Sequence, residues 1–205
     1  MENGDYLLLG QDKNENHHEI ARHSAHDADA YDAYGHMMEQ VVHAIRPLMD
    51  SIPPDITSKD PEERARMAAI GAYLADLPAG VLHDLIRLMT GSAADVLEDY
   101  FESDIMQGLL ASSGIIGTKV GPRSQGSGLV LLYHSFGEHD GAYGAWAFHK
   151  GGNGGFTQVL ARAAEGFGAE IRLESPVDHV VTKNGRATGV VLEDGTELEA
   201  KTVVS

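Results

Sequence analysis

The stretch that decides the fold runs from Ala145 to Ser205 and reads AWAFHKGGNGGFTQVLARAAEGFGAEIRLESPVDHVVTKNGRATGVVLEDGTELEAKTVVS. Its first residues alternate between small and aromatic side chains, which predicts a strand over 145–149. A run of glycines follows, and apolar residues at helical spacing then predict a helix over 156–167. Gly168 suits the left-handed conformation that commonly ends a helix. The stretch thus begins as a strand, a glycine turn and a helix.

The second half of the stretch predicts a strand followed by a small antiparallel meander. Alternating apolar residues indicate a strand over 169–174. Asn184-Gly185 and Asp194-Gly195 are hairpin signals, because these residue types tolerate positive φ. A last strand over 200–205 completes the pattern. The strands at 169–174 and 200–205 need sheet neighbours that we cannot assign within the sequence.

Residues 24–112 predict a cluster of helices. Ser24 and Asp27 have the spacing of a capping box, and Pro61 with two glutamates is typical of a helix start. Further apolar stripes at 81–89 and 96–110 predict shorter helices. The longest stripe recurs at steps of three and four and consists of Tyr31, Tyr34, Met38, Val41, Ile45 and Leu48.

Four segments connect or flank these helices. The apolar run Tyr6–Leu9 predicts a strand, and the polar residues 14–16 predict a loop. Glycine and serine recur over 113–128, which indicates a long loop or a series of turns. The apolar run 129–136 fits a buried helix or a buried strand, and we favour the helix.

Composition excludes several classes of function. The chain has 15 basic and 31 acidic residues and a formal charge of −16, which disfavours nucleic acid as a partner. No apolar run approaches the ~20 residues of a membrane span, so we expect no integral membrane segment and a cytoplasmic location. The absence of cysteine excludes disulfide redox chemistry from these 205 residues.

A run of glycines and a cluster of histidines are candidate binding sites. The glycines at 151, 152, 154 and 155 precede a helix and fit either an anion site or a tight turn, but they lack the Gly-Lys-Ser/Thr ending of a phosphate-binding P-loop. A histidine cluster follows residue 16, yet neither HExxH nor HxxEH occurs, so we predict a solvated face and no metal site. Its members are His17, His18, His23, His26 and His36, with Asp27 and Asp29.

A second group of residues fits a hydrolase or a ligand pocket. Ser127, His134, Ser135, His139 and Asp140 include the residue types of a catalytic triad. No GxSxG motif is present, and nearness along the chain says little about a triad built in space. Trp146 and Phe148 fit a ligand pocket or ordinary core.

These motifs together resemble the phytoene-desaturase-like branch of FAD-dependent oxidoreductases, which also includes the amine oxidases. The resemblance extends over nearly the whole chain, and its most specific part is the run from residue 168 to residue 205. The quoted motifs are YLLLGQD, GSGLVLLYHSFGE, GAYGAWAFHKGGNGG and GAEIRLESPVDHVVTKNGRATGVVLEDGTELEAKTVVS.

The resemblance implies an α/β fold in two parts. Residues 1–150 would be a mostly helical portion of a substrate domain, and 151–205 a partial Rossmann-like FAD-binding domain with a β-meander. It also implies that Val177 presents its backbone N–H and C=O to the adenine of FAD. Gly151 and Gly152 would lie towards the flavin and the substrate cavity.

Members of this branch begin with a GxGxxG unit that holds the FAD pyrophosphate, and the chain contains no such unit. We therefore interpret it as the middle of a longer enzyme that removes hydride from an apolar small molecule. By itself it should bind FAD weakly or not at all. We assign no catalytic residue.

The alternative is a non-catalytic interaction module that pairs through a sheet edge with a second copy or with a complementing FAD-domain chain.

Overall fold

The computed structural model describes residues 4–140 and 142–204 and divides the chain into two compact units, residues 1–146 and 147–205. The first unit is mainly helical, and the second combines one helix with an antiparallel sheet. This mixed helical and small-sheet architecture confirms the coarse fold class expected from the sequence. The assignment of 1–150 and 151–205 to substrate and FAD-binding domains stays a prediction.

The first unit contains seven α-helices among its described residues. A 3₁₀ turn, Ser112–Gly114, precedes the seventh helix. A hairpin of two short strands, β1 (Glu138–His139) and β2 (Ala142–Tyr143), follows that helix. The helices are α1 (Lys13–Ala21), α2 (Ala25–Met49), α3 (Pro61–Ala75), α4 (Ala79–Thr90), α5 (Ala93–Glu98), α6 (Asp104–Ala111) and α7 (Ser127–Tyr133).

Side-chain caps set the starts of most of these helices. The Ser24 hydroxyl accepts a hydrogen bond from the Asp27 amide at the start of α2, and Ser92 and Asp95 form a reciprocal capping box at α5. Asp60 and Ser103 cap α3 and α6 in the same manner. Each cap satisfies a backbone amide that the helix itself leaves without a partner.

The core of the first unit forms around one face of α2. Tyr34, Met38 and Val41 are buried there, which confirms the stripe read from the sequence. The ring of Phe101 is almost fully buried and meets Tyr34 edge-on, with 5.3 Å between ring centroids. The rest of the core comes from every other helix except α3, which has no buried residue.

Asp27 joins the start of α2 to the turn that precedes α6. Its carboxylate is fully buried and accepts hydrogen bonds from the Glu102 amide (2.7 Å), from the Ser103 amide (3.1 Å) and from the Ser103 hydroxyl. The Ser24 hydroxyl donates to Glu102 Oε1 at 2.8 Å. Burial by itself would raise the pKa of Asp27, but the hydrogen bonds from Ser103 and Glu102 outweigh burial and hold this pKa below its usual range.

The second unit consists of helix α8 (Gly152–Gly166) and a three-stranded antiparallel sheet. The strands are β3 (Val177–Lys183), β4 (Arg186–Leu192) and β5 (Glu197–Glu199), paired in that order. Asn184 and Gly185 have φ of 53° and 75°, as a two-residue hairpin turn between twisted strands requires. Both predicted hairpins and the predicted helix are therefore confirmed.

Several predicted strands are wrong within the described residues. Segments 6–9, 145–149, 169–174 and 200–204 form no strand there, because an extended segment becomes a strand only when a neighbour pairs with its backbone. Ser205, the last residue of the predicted final strand, lies outside the described residues.

At the N-terminal end, side-chain hydrogen bonds take the place of strand pairing. The Asn16 amide group both accepts from the Gly10 amide (2.7 Å) and donates to the Gly10 carbonyl (3.0 Å). The predicted loop at 14–16 is also wrong, because these residues belong to α1, which Asp12 caps. The helix was missed because it is polar and has no apolar stripe.

Two other predictions gave the helical content correctly. The run 129–136 is helical over α7, and the predicted helices of 24–112 are all present. None of the described helices by itself has the length and apolar composition to cross a membrane. Helices α3 and α4 meet these two criteria only when taken together, and the pair is bent by 115°.

Asp27→Asn should lower the free energy of unfolding by about 2–4 kcal/mol, because the charged acceptor is lost while its buried donors remain. The wild-type stability that the carboxylate provides is complete above its unfolded-state pKa of about 3.8 and is lost as the pH falls through the lower folded-state pKa. Denaturant unfolding followed by circular dichroism at several pH values measures both effects.

Asp29→Asn is the matched control, because this carboxylate is exposed and its partner is the exposed His17. It should change the stability by no more than about 0.5 kcal/mol. Equal effects of the two substitutions would contradict the role assigned to Asp27.

Candidate functional site

The outer edge of β3 carries unpaired backbone groups at Val177. Val177 is the register partner of Leu192, whose own N–H donates to the Thr196 carbonyl (2.9 Å) and whose carbonyl accepts from Gly195 (2.9 Å). Leu192 therefore uses its backbone on the β5 side. In an antiparallel pair, directly opposite residues either exchange both hydrogen bonds or exchange none, so Val177 directs its N–H and C=O away from β4.

Nothing among the described residues pairs with that outer edge, because the order of the sheet is β3-β4-β5. Val177 is 52% exposed. A bulge follows it, since Val177 opposes Leu192 while His179 opposes Val191. The bulge changes the direction of the strand just beyond Val177, and bulges are common beside binding sites. The geometry offers one donor and one acceptor side by side to a ligand.

The glycine turn before α8 has a conformational reason at two positions. Gly151 has φ of 95° and is the N-cap residue of α8, and Gly152 has φ of 66°. Residues with a side chain rarely adopt these angles. The Gly152 amide donates to the His149 carbonyl at 2.8 Å, which closes the turn. Whether the turn also faces a cofactor stays a prediction.

A separate aromatic cleft lies within the first unit, between α2, the end of α6 and α7. It has a volume of about 290 Å³ and is lined mainly by Tyr31, Tyr34, Met38, Leu131, His134 and Trp146. The indole of Trp146 stacks on the His134 ring with an interplanar angle of 8° and 5.5 Å between centroids. Burial raises the pKa of both Tyr31 and Tyr34, so both phenols stay neutral near pH 7.

The pocket interpretation of Trp146 thus agrees with its position, whereas Phe148 does not share that cleft. Phe148 belongs to the second unit and is 93% exposed. Tyr31, Tyr34 and Gly35 also line the cleft, and sequence reasoning assigned the first two only to the core. The sequence did contain one sign of the cleft: Gly35 interrupts the long apolar stripe of α2.

The hydrolase group does not assemble into a triad among its described members. Ser127 is fully buried, and its hydroxyl accepts from the Ala93 amide (2.8 Å) and lies within hydrogen-bonding distance of the Pro122 (3.0 Å) and Ser124 (2.7 Å) carbonyls. The Ser135 hydroxyl donates to the Leu131 carbonyl at 3.2 Å. The side chain of His139 lies outside the described part, and Asp140 occupies a turn with φ of 50°. Ser127 is a structural link between α5 and α7.

The histidine cluster includes one group of possible metal ligands. Atoms of His26, Asp27 and Glu102 lie within 4.8 Å of one another. Both oxygens of Asp27 already accept hydrogen bonds, and Glu102 accepts from Ser24. His17 pairs with Asp29 at 3.0 Å on the exposed surface. These hydrogen bonds explain the arrangement without a metal ion.

Comparison with known proteins identifies the class. The model of the family described as flavin containing amine oxidoreductase matches residues 16–205. The chain therefore belongs to the flavin-containing amine oxidoreductase family. The resemblance drawn from the sequence motifs is confirmed.

Individual relatives carry oxidoreductase and desaturase names. The chain is 36% identical to pyridine nucleotide-disulfide oxidoreductase domain-containing protein 2 of Rattus norvegicus, over 97% of this chain and 36% of that protein. It is 32% identical to the hydroxyneurosporene desaturase of Cereibacter sphaeroides, over 78% of this chain and 28% of the desaturase. The chain spans about a third of the length of these relatives.

Ser127→Ala should lower the free energy of unfolding by about 1–3 kcal/mol, because the buried Ala93 amide loses its acceptor. Thermal or denaturant unfolding measures the loss. Ser135→Ala is the control: this hydroxyl donates to a carbonyl of α7 just before it in the chain and is partly exposed, so the change should stay within about 0.5 kcal/mol. An unchanged stability for Ser127→Ala would contradict the structural role.

Proposed function

We propose that this chain forms part of an FAD-dependent oxidoreductase that removes hydride from an apolar small molecule. In this proposal residues 151–205 contribute to a partial Rossmann-like FAD-binding domain, and Val177 contacts the adenine. The family match supports a flavoprotein oxidoreductase. The observation that carries the adenine contact is the outward-facing backbone of Val177 at the free edge of β3.

The chemistry of adenine fits this edge. Adenine presents an acceptor at N1 beside a donor at its exocyclic amine, and a strand residue presents N–H beside C=O. Such a contact reads the base through the main chain, so the side chain at position 177 matters little. Bound FAD would supply the hydride acceptor, while this chain would orient the nucleotide.

The exposed face of α8 supports the Rossmann-like part of the proposal. No residue of α8 is buried, and Phe156 and Leu160 are 53% and 54% exposed. Small residues at 161, 163 and 164 interrupt its surface and permit close approach to another layer. An apolar helix face of this kind is suited to cover a sheet. The cytoplasmic location expected from the sequence stays a prediction.

The adenine contact can be tested by exchanging the base. Deaminated FAD carries hypoxanthine, which reverses the donor and acceptor pattern that Val177 would meet. We expect weak binding of FAD and binding at least about tenfold weaker for the deaminated form, since two hydrogen bonds become two mismatches. Chemical-shift titration of the β3 amides detects even millimolar affinities.

Two substitutions at one position separate backbone from side chain. Val177→Pro removes the N–H at an outward-facing edge, which a strand tolerates, and should abolish the preference for FAD. Val177→Ala keeps both backbone groups and should bind as the wild type does. Equal affinity of the wild type for the two dinucleotides, or tight stoichiometric binding of FAD by Val177→Pro, would refute the proposal.

A second candidate function is a non-catalytic interaction module, which the free β3 edge and the exposed face of α8 favour. Such an edge pairs readily with a second copy or with a complementing chain. Size-exclusion chromatography with light scattering should then show a dimer that Val180→Lys on β3 dissociates and Ile86→Lys on α4 leaves intact. A monomer at all concentrations would argue against self-pairing.

A further inference from the structure

We propose that the aromatic cleft of the first unit is a binding site for a small neutral aromatic molecule that carries a hydroxyl group, as a phenol does. The site lies entirely in the helical unit, so the proposal does not rest on the FAD role proposed for residues 151–205. Its volume of about 290 Å³ lies just below the range for small-molecule sites, roughly 300–1,000 Å³. One aromatic ring with a short substituent fits this volume.

The walls of the cleft suit a flat apolar ring. Tyr31, Tyr34 and Trp146 contribute aromatic surface, and Met38 and Leu131 contribute aliphatic surface. Tyr34 is held from behind by edge-on contacts with Tyr100 and Phe101, with centroids 5.6 Å and 5.3 Å apart. Such support keeps the wall in place when no ligand is present. A ring inside the cleft gains both burial and ring–ring contacts.

His134 supplies the polar anchor. Its Nδ1 lies 2.8 Å from the Val130 carbonyl, and because a carbonyl only accepts, the proton of the neutral ring lies on Nδ1. Nε2 is then an acceptor, and in the part of the chain that the structure describes no residue hydrogen-bonds to it. The Trp146 indole donates to the His134 carbonyl at 3.3 Å and stacks on the ring, which fixes its orientation. A ligand hydroxyl would donate to Nε2.

Gly35 provides an independent indication that the space serves a ligand. It lies within the 25-residue helix α2 and lines the cleft. Glycine inside a helix is destabilising relative to alanine. A Cβ at this position would meet no atom within 4 Å, so packing against the protein does not require a glycine. A larger side chain there would instead occupy the cleft.

Charge excludes an anionic ligand. Glu39 is exposed at the edge of the cleft, and the chain as a whole carries a formal charge of −16. A carboxylate or phosphate would be repelled by this field. A neutral phenol avoids that repulsion and satisfies Nε2.

The single tryptophan of the chain makes the test direct. Trp146 lines the cleft, so its indole N–H signal in a proton–nitrogen correlation spectrum reports on this site alone. The probes are para-hydroxyacetophenone and para-methoxyacetophenone; the methyl group of the second removes the donor, and its own size affects the wild type and the His134 variant alike. We expect saturable shifts with roughly tenfold tighter binding of the hydroxyl compound, as one added hydrogen bond to an otherwise unpaired acceptor provides.

His134→Phe keeps a stacking ring and removes the acceptor, so the tenfold preference should fall to about one. His179→Phe on β3 is the matched control and should keep the preference. If His134→Phe fails to fold, Gly35→Leu tests the same site by filling the cleft, and it should weaken both probes at least about tenfold. Gly71→Leu is its control, because Gly71 also lies inside a helix with no atom within 4 Å of a Cβ.

The outcomes that would overturn the proposal are equally specific. The proposal is wrong if neither probe produces a saturable shift of the Trp146 indole signal. It is also wrong if His134→Phe keeps the preference for the hydroxyl compound, or if Gly35→Leu binds both probes as tightly as the wild type. The expected results in the wild type and in either folded variant would support it.

Discussion

The helical unit depends on the buried carboxylate of Asp27, which is surrounded by neutral hydrogen-bond donors and by the exposed His26 ring, whose Nδ1 lies 3.4 Å away. Asp27 accepts its hydrogen bonds from two amides and a hydroxyl next to α6, and it lies in the first turn of α2. A buried charge is tolerated only when hydrogen bonds replace the water it has lost. The location near the positive end of the α2 dipole adds to that compensation. One side chain thereby fixes the longest helix against a turn about 75 residues away in sequence.

The two units differ in how they stabilise themselves. The first has a continuous core that reaches from Ile20 to Leu132. The second has no buried residue in α8, and Leu192 is its one buried large apolar side chain among the described residues. A unit of 59 residues with so little buried apolar surface gains little from the hydrophobic effect. Its structure therefore depends on local hydrogen bonds in hairpins and in a glycine turn. Both the proposed nucleotide-binding role and the interaction role would use its exposed faces.

Sequence reasoning was most successful where the deciding physics is local. The cap at Ser24 and the hairpin at Asn184-Gly185 follow from residues three or fewer positions apart, and both are present. It failed for the segments 6–9 and 169–174, whose strand character needs a partner. Helix α1 escaped detection because its two buried residues, Asn16 and Ile20, do not form an apolar stripe.

The sequence by itself determined every helix except α1, the two hairpins of the second unit, the net negative charge and the family, because these depend on spacing, turn chemistry and composition. Only the tertiary structure decided that Val177 directs its backbone outward, since this follows from how Leu192 bonds to the next strand. It alone brought Gly35, His134 and Trp146 to one cleft. The physical reason is the same in both cases: a backbone group or a side chain becomes available to a ligand only when its other possible partners are already engaged.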